Sequence, residues 1–146
     1  MTPDKKYKNL TPLGRITTPY GGKTRYESSH KGIDIANAIG TKIPVFEEGK
    51  VVAIKPGQVP GSNGYGNSVL IRDKKNNIHR YSHLQSILVK PGQEVKKDDT
   101  LGTMGETGSA YSPSSTTPGS GSHLDYRIVD KYNKYKNPTK YVKKYI

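Results

Sequence analysis

The chain has 146 residues, with 24 Lys and Arg against 12 Asp and Glu, a formal net charge of +12, and neither Cys nor Trp. The missing Cys excludes a disulfide scaffold, a thiolate zinc site and a Cys nucleophile, and no run approaches the ~20 apolar residues of a membrane-spanning helix. The excess positive charge predicts a polyanionic setting, which nucleic acid, an anionic cell-wall polymer or a membrane surface would each supply.

Residues 1–13 read as a polar lead-in without the apolar stretch of a signal peptide. Residues 14–146 read as one domain, a size that buries roughly 70% of its unfolded surface. Within it, short β-branched runs alternate with Gly, Pro and Asn. Ile43-Pro44-Val45-Phe46 predicts a strand, and Lys50-Val51-Val52-Ala53-Ile54-Lys55 a second, closed by Pro56-Gly57. Asn67 to Arg72 predicts a third, residues 73–77 a turn, and residues 78–84 a fourth. Ile87-Leu88-Val89, Glu94-Val95, residues 100–104 and residues 123–129 continue the pattern. Residues 106–122 are rich in Gly, Ser, Thr and Pro, as in a long functional or mobile loop. The Tyr- and Lys-rich end reads as a solvated, amphipathic tail, with a short helical turn around residues 138–145. Many short strands and no long helical periodicity predict an all-β fold: a small antiparallel sheet or barrel-like core.

Two of the four His stand near an Asp: His30-Lys31-Gly32-Ile33-Asp34 and His123-Leu124-Asp125. Alternate strand residues share a face. His30, Gly32 and Asp34 then point one way, and Gly32 leaves room for something to approach. His123 and Asp125 share a face, as do Tyr81 and His83, with Ile33, Ile35, Leu124 and Leu84 left for the core. Any one His/Asp spacing arises by chance with expectation of about 0.2 in such a chain, so a single pair carries little. In combination they offer what a catalytic zinc site needs: three His or carboxylate ligands with an open position, and further His for proton transfer. His79, beside the Asn76-Asn77 turn, reads as an exposed histidine.

These stretches resemble the lysostaphin-like (LytM-type) zinc endopeptidases of the bacterial cell wall. The resemblance is carried by Pro19-Tyr20-Gly21-Gly22, His30-Lys31-Gly32-Ile33-Asp34-Ile35-Ala36, Gly49-Lys50-Val51-Val52, Tyr81-Ser82-His83-Leu84, Gly105-Glu106-Thr107-Gly108 and Ser122-His123-Leu124-Asp125-Tyr126, in the family's order from about Gly14 onward. It implies a groove across an antiparallel β core, His30 and Asp34 as the first two metal ligands, and His83 and His123 as catalytic histidines. The family's third ligand is the second His of a His-x-His motif, and this chain has Asp125 there. Two readings stay open. Asp125 binds the ion, giving a His/Asp/Asp site for Zn²⁺ with a shift toward harder cations such as Mn²⁺, or the site is disabled on a retained scaffold. The stretch from Gly108 to His123 is also longer than the family's usual link.

The implied activity is metal-dependent hydrolysis of peptide cross-links in peptidoglycan. The alternative is an inactive relative that binds peptidoglycan or a partner through the same groove. Expected surroundings are anionic wall polymers, outside the cell or on a virion, without membrane insertion. Nucleic acid is set aside, because Lys clusters at the ends and in turns instead of interleaving with Tyr on one face. Oligomeric state has no signature in the sequence.

Overall fold

The computed structural model describes residues 12–23, 28–56, 64–107 and 121–146. Among these residues, eleven strands run in chain order: β1 (Arg15–Thr18), β2 (Gly32–Ala36), β3 (Lys42–Pro44), β4 (Gly49–Lys55), β5 (Ser68–Arg72), β6 (Ile78–Ser82), β7 (Leu84–Ile87), β8 (Glu94–Val95), β9 (Thr100–Met104), β10 (His123–Val129) and β11 (Tyr135–Lys136). A one-turn helix, α1 (Thr139–Val142), leads into a 3₁₀ turn at Lys143–Tyr145. The all-β expectation holds, and so does the short C-terminal helical turn.

The strands form two antiparallel sheets and no closed barrel. The larger has the order β1-β2-β10-β6-β5-β4-β8, with β11 beside β10, and the smaller β3-β9-β7. Strand β10 sits centrally, with Asp125 opposite Asp34 of β2 on one side and opposite Ser82 of β6 on the other. Strict alternation then sends Leu124, Tyr126 and Ile128 inward with Ile33, Ile35, Tyr81, Val69 and Ile71, all at most 1% exposed. Burying each such side chain contributes roughly 1.5–3 kcal/mol.

The small sheet covers this face with Ile43, Leu84, Leu101 and Met104. At its centre Phe46, the one Phe of the chain, packs its ring 4.7 Å from Tyr126, 5.1 Å from Tyr145 and 5.4 Å from Tyr81. The Tyr81 hydroxyl accepts the Phe46 backbone N–H at 3.0 Å, so the buried phenol is not left unpaired. The opposite face of β2, β10 and β6 is left for polar groups.

Four expectations need correction. The C-terminal tail is amphipathic but not merely solvated: Val142 and Tyr145 are core residues, and the Tyr145 carbonyl accepts the Leu13 N–H at 2.8 Å. Leu13 itself, counted in the lead-in, is 1% exposed. His79 is fully buried, because parity on β6 puts it with Tyr81 on the core face; Asp73 and Tyr126 then satisfy both ring nitrogens, at 2.9 and 2.6 Å. The predicted strand over 78–84 breaks at His83, which takes φ +65°. Most of the long polar stretch, residues 108–120, lies outside the described residues.

Candidate functional site

The outer face of β2 and β10 carries Asp34 and Asp125 directly opposite each other. Two carboxylates placed so repel one another unless each finds positive charge. The Asp34 Oδ1 lies 3.0 Å from the His30 Nε2, and 3.7 Å from the Nε2 of His123. Burial alone would raise the Asp34 pKa, but the His30 hydrogen bond and the charges of His123, His30 and His83 outweigh it and hold it below the usual value. Asp125 is served differently. The Arg127 guanidinium, two residues along the same strand face, donates to both its oxygens, Nε to Oδ1 and Nη2 to Oδ2, each at 2.8 Å. This fork-on-fork pair is nearly buried, at 8% and 5% side-chain exposure.

Donor atoms of His30, Asp34 and Asp125 all lie within 4.8 Å of one another. One imidazole nitrogen and two carboxylate oxygens so grouped suit a divalent cation of the zinc type. Gly32 is what lets Asp125 and Arg127 close in: a Cβ there would stand 2.9 Å from Asp125 Oδ1 and 2.5 Å from Arg127 Cγ. The room at Gly32 is thus filled by this chain's own ion pair.

His83 and His123 stand beside this cluster, ring centroids 4.8 Å apart. Each gives its Nδ1–H to a backbone carbonyl, His83 to Thr107 at 2.6 Å and His123 to Gly121 at 2.8 Å. A carbonyl only accepts, so Nδ1 must carry the proton in both rings, and in the neutral rings Nε2 keeps its lone pair. Burial, reinforced by His123, pushes the His83 pKa down to about 4, so this ring is neutral at physiological pH.

His83 reaches the site by a route different from the expected one. Tyr81 and His83 do not share a face, since Tyr81 is core and Ser82, opposite Asp125, takes the site face. The positive φ at His83 re-aims its side chain to the site, while its N–H donates to the Tyr65 carbonyl at 2.8 Å. Left-handed backbone at a non-Gly residue is uncommon and costs roughly 1–3 kcal/mol. The neighbouring Gly66 is equally constrained: at φ +65° it packs so tightly that a Cβ would lie 2.5 Å from the Thr107 carbonyl carbon. Thr107 is thereby held where its oxygen meets His83.

The structure therefore brings together all five residues singled out from the sequence: His30, Asp34, His83, His123 and Asp125. Sequence reasoning missed Arg127 and Thr107. Arg127 was detectable, because His123, Asp125 and Arg127 are successive members of one strand face. Thr107 acts through a backbone carbonyl, which leaves no side-chain signature.

Comparison with known proteins shows the family to which the chain belongs. The model of Peptidase family M23 matches residues 28–138. The peptidoglycan DD-endopeptidase ShyA of Vibrio cholerae is 34% identical over 106 residues, 73% of this chain and 21% of that protein. The murein hydrolase activator NlpD of Escherichia coli is 33% identical over 97 residues, 66% of this chain and 24% of that protein. The chain thus spans about a quarter of the length of these relatives. Among solved structures, the catalytic domain of the prophage-encoded M23 protein EnpA from Enterococcus faecalis superposes with TM-score 0.68 at 27% identity, covering 85% of this chain and 88% of that one.

Proposed function

Since the chain belongs to peptidase family M23, we propose that it is a metal-dependent endopeptidase that hydrolyses peptide cross-links of bacterial peptidoglycan. The observation that carries this reading is the convergence of His30, Asp34 and Asp125 donors beside two His whose Nδ1 atoms are fixed on backbone carbonyls. His30, Asp34 and Asp125 would hold the ion. A bound zinc would polarise the scissile carbonyl and acidify a water.

The histidines supply the proton handling. Neutral His83, with its Nδ1–H fixed on Thr107, presents Nε2 as an acceptor for a water proton. His123, fixed on Gly121 and adjacent to Asp34, is placed to return a proton to the leaving amine. Neither ring needs to turn, because its backbone carbonyl fixes orientation and tautomer together.

Arg127 explains how Asp replaces the His expected from the family resemblance. A second carboxylate would lower the charge of the site by one unit relative to imidazole. The guanidinium bound to that carboxylate restores the unit, so the Asp125–Arg127 pair is electrically equivalent to a neutral ligand. The ion's acidifying effect on water then need not weaken.

One observation favours a second reading, a groove that binds peptidoglycan without cutting it: both Asp125 oxygens already accept bonds from Arg127. The two readings separate on purified cell walls. With zinc supplied, the enzyme releases new amino termini and His83→Ala does not. Saturable wall binding by the native chain, with no new termini at any zinc or manganese concentration, would establish the second reading.

A further inference from the structure

The same sheet face continues past the histidines into a cavity of about 320 Å³ lined by Tyr65, Arg80, Arg127, Asn133 and Tyr135 over an apolar floor that includes Leu70. Register places it. Asp34, Asp125 and Ser82 form one row across β2, β10 and β6, and Gly32, Arg127 and Arg80 form the next on the same face. Two residues along a strand is about 7 Å, roughly two residues of an extended peptide. Two shared residues join the cavity to the site. Arg127 lines it while gripping Asp125, and Tyr65 holds the His83 N–H through its carbonyl while its ring forms the cavity wall.

The charges in this cavity do not balance. Arg127 is neutralised by Asp125. Arg80 is half-buried, its guanidinium carbon 4.4 Å from the Tyr65 ring centroid, and no carboxylate among the described residues pairs with it. A cation–π contact does not consume the guanidinium's N–H donors, and two of them match a carboxylate with two parallel bonds. A half-buried cation so prepared, at the edge of a hydrolytic groove, has the form of a recognition site whose anion arrives with the substrate.

We propose that this cavity is a specificity subsite for a free carboxylate of the peptide substrate, held by Arg80 about two residues from the bond that is cut. The proposal rests on the reading of the groove as a peptide site, but not on turnover. It predicts that a wall peptide with a free carboxylate at that distance is preferred over the same peptide carrying a carboxamide.

The test is binding, measured calorimetrically on the chain with zinc removed, so that failure of hydrolysis does not affect it. Two muropeptides are compared that differ only in carboxylate against carboxamide. The native chain should bind the carboxylate form about tenfold more tightly, Arg80→Gln should bind both alike to within about twofold, and Arg80→Lys should recover part of the preference. Equal affinity of the native chain for the two peptides, or no binding of either, overturns the subsite without recourse to any variant. A preference that survives in folded Arg80→Gln also overturns it. Inorganic phosphate and glycerol phosphate are run as competitors. If either displaces the carboxylate peptide at concentrations where acetate does not, the cavity is instead a site for phosphate-bearing wall polymer, and the carboxylate assignment fails.

Discussion

Two histidines four residues apart, His79 on β6 and His83 just past its end, show how one short segment supplies both the interior and the site. Burial lowers the pKa of each. His79 has both ring nitrogens bonded, to Asp73 and Tyr126, on the core side of the sheet. His83 has one nitrogen fixed on Thr107, and its Nε2 has no hydrogen-bond partner among the described residues. A fully satisfied buried histidine is a structural joint. A half-satisfied one, neutral and within the electrostatic reach of Asp125 and Asp34, is prepared for chemistry.

Substitution should split the two most sharply. His83→Ala should lower turnover by about 10²–10⁴-fold with little change in folding stability. His79→Ala should instead destabilise the fold by about 2–4 kcal/mol, since it leaves the buried Asp73 and Tyr126 groups without their partner. Folded His79→Ala should keep its turnover. Peptidase assays paired with urea unfolding check both, and the reverse pattern would undo the comparison.

Arg127→Ala sharpens the contrast on the site face. It strands the nearly buried Asp125 carboxylate and should cost about 3 kcal/mol in metal-free protein. Zinc should restore more stability to this variant than it adds to the native chain, because the ion then supplies the missing positive charge. Thermal unfolding with and without zinc reads the difference.

A smaller effect is the acid limb of stability. The folded pKa values of His79 and His83 lie below the ordinary histidine value, the latter at about 4. As pH falls below ~6.5 the unfolded chain takes up protons that the folded chain refuses. Stability should therefore drop toward pH 4, by up to about 1.4 kcal/mol per pH unit for each such group. Asp34 and Asp73, both held below their ordinary values, lose their contributions lower still, in the same direction. In His83→Gln the slope above pH 4 should flatten by about one proton's worth, as urea unfolding at stepped pH would show.

Much of this was legible in the sequence. Strands at 49–55, 94–95, 100–104 and 123–129 announce themselves by β-branched runs between turn residues, and the His/Asp pairs by period-two spacing. What the sequence hid has physical causes. Face parity over 78–84 assumes an unbroken strand, and the left-handed residue at His83 reverses that parity. His79 looked exposed because a turn precedes it, yet its Asp73 partner lies in that same turn and folds back over it. Arg127 escapes a sequence reading because a charged residue on a strand ordinarily reads as solvated surface, whereas here it is the nearly buried ion-pair partner of Asp125.

The central claim is that Asp125, steadied by Arg127, serves as the third metal ligand. Elemental analysis of purified chain after zinc loading and dialysis tests it most directly. The account predicts one zinc per native chain and loss of that zinc from His30→Ala, Asp34→Ala and Asp125→Ala alike. Undiminished zinc in folded Asp125→Ala, with His30→Ala and Asp34→Ala emptied, would contradict it.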